Sequence, residues 1–84
     1  AEAPSHLHLV QIRAGGAIGE HPATSSQLFV IVSGTARVRT NNKVVEVGSG
    51  EAVSWDVGEV HQTFALTDVV GLIFEARGDI SVAA

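Results

Sequence analysis

The stretch Gln27–Ser33, QLFVIVS, with Gly34 and the following Thr35–Thr40, TARVRT, decides how this chain folds. Successive side chains of an extended strand point to opposite faces. Gln27, Phe29 and Ile31 therefore share one face, and Leu28, Val30 and Val32 the other. A strand that is apolar on both sides has to be covered on both sides. After the Gly34 turn the pattern changes, and Ala36 and Val38 alternate with Arg37 and Arg39, which marks a strand with one wet face. Asn41-Asn42 supplies a tight hairpin turn, because Asn tolerates positive φ, and Lys43–Val47 returns antiparallel.

The same punctuation extends outward from this hairpin. Leu7–Arg13 is a β-rich run, and Ala14–Ser26, broken by Gly15, Gly16, Gly19 and Pro22, is expected to be a loop carrying an irregular strand. Turns at Gly48-Ser49-Gly50, Asp56-Val57-Gly58 and Thr67-Asp68 separate strands at Ala52–Trp55, His61–Leu66 and Val69–Ala76. About seven short strands without an amphipathic helix predict an all-β antiparallel barrel or sandwich. Phe29, Ile31, Val38, Trp55, Phe64 and Ile73 are expected at its interior or rim.

Composition narrows the function classes. The 84 residues suit one domain, read as 1–84 with a core at about 7–76 and a tail at 77–84. With no cysteine there is no disulfide, thiolate nucleophile or iron–sulfur cluster. A net charge of −4 with 5 basic residues argues against nucleic acid and anionic membranes as partners. No apolar run approaches the ~20 residues that span a bilayer, and AEAPSHLH lacks a signal-peptide layout, so a soluble cytoplasmic protein is expected. A chain this short has a marginal core, and one barrel interior covers only one face of Gln27–Ser33 and Val69–Ala76. A homodimer is therefore expected, with Leu7–Arg13 as the element that reaches the neighbouring copy.

Four histidines are few enough to weigh singly. His21 lies just ahead of the doubly apolar strand, and His61 opens HQTFAL on the same face as Thr63 and Ala65. If these faces line a barrel interior, His21, Gln27 and His61 converge there.

The spacing of these residues resembles the cupin superfamily, which is defined by two motifs. In the first, Gly15, His21, Ala23, Gln27 and Gly34 fall at the intervals of a pattern of Gly, His, His, Glu and Gly. In the second, Gly50, Asp56, Gly58, His61 and Ala65 take the places of Gly, Pro, Gly, His and Asn. Residues 35–49 separate the two, and the chain looks like a small single-domain bacterial cupin. The resemblance implies a double-stranded β-helix and a metal site of three His and one Glu. His21 and His61 remain, Ala23 cannot ligate, and Gln27 stands where the Glu would be. The implied site is thus degenerate and neutral. It would suit a divalent transition ion such as Zn, Cu, Ni or Fe over Mg or Ca, with open coordination positions, or a small organic ligand in a pocket of Phe29, Trp55, Thr63 and Phe64. The alternative is a metal-dependent enzyme of dioxygenase or isomerase type acting on a small oxygenated substrate. On the sequence alone, Gln27→Glu should strengthen binding by adding an anion.

Other polar residues have plainer expectations. His6 and His8 read as a frayed, exposed terminus, Glu59 as a solvated turn carboxylate or as an orienting partner of His61, and Arg37, Arg39 and Lys43 as a wet hairpin face. Imidazole ligates only when neutral. Divalent-ion uptake should therefore fall as pH drops through about 6.5, the ordinary imidazole value; titrations at about pH 7.5 and about pH 5.5 check this, and equal uptake at both would exclude histidine ligation.

Overall fold

The computed structural model describes residues 5–22, 26–40 and 43–76. Its strands, in chain order, are β1 Ser5–Ile12, β2 Ala17–Pro22, β3 Ser26–Ser33, β4 Thr35–Thr40, β5 Lys43–Gly48, β6 Ala52–Trp55, β7 Val60–Ala65 and β8 Val69–Ala76. They form two four-stranded sheets, ordered β1-β8-β3-β6 and β2-β7-β4-β5. All of their pairings are antiparallel. The irregular strand expected between Ala14 and Ser26 is β2, whose register against β7 shifts between Ile18 and His21, where Gly19 intervenes. Ala23, the Asn41-Asn42 turn and the 77–84 tail lie outside the described residues. Among the described residues no helix is long and apolar enough to cross a membrane.

The interior follows from strand parity. Phe29 and Ile31 of β3, Val38 of β4, Trp55 of β6 and Val69 of β8 are all buried, and Ile73 packs against them. On β7 the inward set is His61, Thr63 and Ala65, each at most 4% exposed. Phe64, expected at the interior or rim and in the pocket, falls between them in parity and lies on the outer face, 37% exposed. Its register partners there are Ala17 and Arg37. A period of two cannot bury neighbouring residues on one face, so with His61, Thr63 and Ala65 inward Phe64 points outward.

The closest approaches are made at Gly34 and Gly71. Gly34 has φ +94°, and a Cβ there would lie 2.0 Å from the Asp68 carbonyl oxygen, so the turn between β3 and β4 requires glycine. At Gly71 the constraint is space alone: a Cβ would lie 2.4 Å from Phe29 Cε1 and 3.0 Å from the Val30 carbonyl oxygen. Gly71→Ala should displace the Phe29 ring and destabilise the fold by about 1–3 kcal/mol. Adding Phe29→Leu should recover part of this loss, as read by urea unfolding; additive losses would show that the ring and Gly71 do not compete for space.

Candidate functional site

The sheets converge at one end of the barrel on a cavity of about 160 Å³, lined by Ile18, Gln27, Phe29, Trp55, His61, Thr63, Ile73 and Glu75. Register explains the grouping. Gln27 on β3 pairs with Trp55 on β6 and, on its other side, with Glu75 on β8. Across the interior, β7 supplies His61 and Thr63. The walls are therefore part apolar and part polar, and the polar part is buried: Gln27 is 7%, His61 4% and Thr63 2% exposed. Burying polar groups costs free energy unless they are hydrogen-bonded, so each needs a partner.

The partners fix the chemistry. Gln27 Nε2 donates to Glu75 Oε2 at 2.6 Å. The amide orientation follows from this contact, because a carboxylate oxygen accepts and only the NH₂ end can donate to it. The His61 ring lies against the Trp55 indole with centroids 4.0 Å apart and planes 15° apart. His61 Nδ1 is 3.2 Å from the Glu59 carbonyl oxygen. A carbonyl can only accept, so Nδ1 carries a proton, which in the neutral ring leaves Nε2 as the nitrogen through which a histidine ligates. Glu59 thus orients the imidazole through its backbone, not its carboxylate. That carboxylate accepts from the Thr40 hydroxyl and, through Oε1, from the Asp56 amide at 3.1 Å, which ties down the turn before β7.

Other residues singled out from the sequence take their places around this cavity. Gln27, His61, Phe29, Trp55 and Thr63 line it. His21 holds the register position opposite His61 at the β2–β7 pairing. Phe64 is absent from the lining. His6 and His8 are exposed, but they belong to β1 rather than to a frayed end. Their rings stack at 6.1 Å, and His8 Nε2 lies 3.0 Å from Glu75 Oε1. Arg37, Arg39 and Lys43 are exposed on the β4–β5 hairpin.

Glu75 is a residue of the cavity wall that sequence reasoning missed. Its signal was available: in Val69–Ala76, Val69, Gly71 and Ile73 alternate on one face, and Glu75 continues that face with a charge. Trp55 Nε1 is a second feature only the structure reveals. It is buried and has no hydrogen-bond acceptor among the described residues, a cost of about 1–3 kcal/mol.

Residues 3–75 match the family described as the cupin domain, and the chain belongs to that family. Among solved structures, a conserved protein of unknown function from Streptococcus pyogenes is similar with a TM-score of 0.84 at 18% identity, over 90% of this chain and 67% of that one. An RmlC-like cupin from Methanocaldococcus jannaschii with a double-stranded β-helix fold gives 0.83 at 11% identity, over 92% and 72%. A salicylate 1,2-dioxygenase variant from Pseudoaminobacter salicylatoxidans gives 0.82 at 17% identity, over 86% of this chain and 21% of the enzyme. No curated protein matches. The fold is therefore the double-stranded β-helix of the cupins.

Cupin membership raises the question of a metal ion. Among the described residues no three His, Asp or Glu side chains form a group that could hold one. The donors on the cavity wall are the His61 imidazole, the Gln27 amide and the Glu75 carboxylate. Imidazole, amide and carboxylate are donor types that divalent transition ions accept.

Proposed function

We propose that the cavity binds a divalent transition metal ion, with His61 and His21 as imidazole ligands and the Gln27 carbonyl oxygen as a third, and positions left open for a small organic ligand. The observation that carries this reading is the burial of Gln27 and His61 on the wall of one cavity that also receives Glu75. The register position of His21 opposite His61 agrees with it. Imidazole and amide donors favour Zn, Cu, Ni or Fe over Mg or Ca. At about 160 Å³ the cavity is below the usual range for drug-sized molecules, so its organic occupant is small. A bound divalent ion would polarise an oxygen of that occupant. Catalysis of dioxygenase or isomerase type on such a molecule is the second reading, and it draws on the fold shared with salicylate 1,2-dioxygenase.

The test uses the single tryptophan. Cu(II) titrated into metal-stripped protein should quench Trp55 emission, because the indole stacks on the proposed ligand His61. His61→Ala should abolish uptake measured by calorimetry. Equal uptake by both proteins would move the binding to exposed residues such as His6 and His8.

We also propose a homodimer formed through the outer face of the β1-β8-β3-β6 sheet. Register aligns Leu7, Phe74 and Leu28 in one row and Leu9, Leu72 and Val30 in the next. Leu7 is 59% and Leu9 66% exposed, and Phe74 is 40% exposed. A second copy packed face to face on these rows, which begin at the edge strand β1, would cover Leu7, Leu9 and Phe74. Sedimentation should give a dimer mass for the wild type and a monomer for Leu9→Lys. A wild-type monomer at every concentration would refute the dimer.

A further inference from the structure

Resting on the metal-site reading above, we propose that Glu75 is the positioning residue of the cavity: its carboxylate takes the Gln27 N–H, turns the Gln27 carbonyl oxygen to the cavity, and supplies the negative charge that position 27 lacks. The geometry is direct. Gln27 and Glu75 are register partners on adjacent strands, and Nε2 donates to Oε2 at 2.6 Å. The other carboxylate oxygen, Oε1, is held at 3.0 Å by His8 Nε2, which keeps the carboxylate from rotating away. Glu75 is only 24% exposed, so its charge acts largely through protein rather than bulk water.

The chemistry follows from amide resonance. An anion that accepts from the amide N–H draws the nitrogen lone pair toward the carbonyl, and so raises negative charge on the carbonyl oxygen. Neutral Gln27 thereby becomes a better donor to a cation, in the way a carboxylate behind a ligating histidine raises its basicity. The negative charge lies one strand away, and the amide transmits part of it. This revises the expectation for Gln27→Glu. A second carboxylate at 27 would lie within hydrogen-bond distance of Glu75 and lose the only donor between them, so the two charges would repel. The charge can move to position 27 only if position 75 becomes the donor.

The experiment compares wild type, Glu75→Ala, Gln27→Glu and the exchange Gln27→Glu with Glu75→Gln, using Ni(II) calorimetry and the ¹H–¹⁵N signals of the glutamine side chains. In wild type without metal, the Gln27 side-chain N–H should be shifted downfield and protected from exchange, and Glu75→Ala should return it to the value of an exposed glutamine. Ni(II) affinity should fall about 10- to 100-fold in Glu75→Ala. It should not rise in Gln27→Glu, and should return to the wild-type range in the exchange. The exchange keeps one donor and one carboxylate, so its folding controls for the loss of the pair. Unchanged Ni(II) affinity in Glu75→Ala, or an unshifted Gln27 signal in wild type, overturns the proposal while leaving the metal site standing. A shifted Gln27 signal in a wild type that takes up no Ni(II) supports the pair and overturns the metal reading instead.

Discussion

The Phe29 ring lies over Gly71 so closely that no other residue fits beneath it, and the first sheet is arranged around that contact. β3 and β8 are central in the sheet, each with a neighbour on both sides. The bare backbone at Gly71 lets the ring reach the interior without forcing the strands apart. The ring in turn stacks on Trp55 with centroids 6.1 Å apart, and Trp55 on His61. One aromatic row thus runs from the apolar core to the polar end, and the position of the imidazole depends on the packing of the phenyl ring.

That arrangement divides the interior into two environments. Toward the turn between β3 and β4 it is filled by Ile31, Ala36, Val69 and Ala65, all buried and apolar. Toward the other end, Gln27, His61 and Thr63 are equally buried but polar. Hydrophobic side chains of similar volume would make a more stable barrel at those positions, because an apolar core carries no desolvation cost. The described structure instead carries a carboxylate–amide pair, an imidazole anchored on a backbone carbonyl, and an indole N–H without an acceptor. Stability is given up at this end of the barrel, where the proposed site lies.

Most of the strands were legible because their signals are local. Alternation in Gln27–Ser33 and Thr35–Thr40, with Gly and Asp at the turns, needs nothing beyond neighbouring residues. The inward faces of β3 and β7 followed from the same parity, and with them the burial of Gln27 and His61. Phe64, expected in the pocket, is not part of it, because its own strand period places it on the face opposite His61, Thr63 and Ala65. β1 was read as frayed at His6 and His8, since nothing near it in sequence shows that β8 pairs along its whole length.

By itself, the sequence determined the fold class, the spacing of the strands and the identity of the two motif residues, Gln27 and His61, that end up buried. Each of these depends on a period of two residues or on a turn of two or three, and so on interactions between near neighbours. The tertiary structure decided that Glu75 stands beside Gln27, 48 residues away in the chain, and that the Glu59 carbonyl rather than its carboxylate holds His61. Strand order and register across a sheet are set by how the apolar faces close over one another, a balance over the whole barrel, so the residue that the Glu75 charge meets could be seen only once β8 had taken its place between β1 and β3.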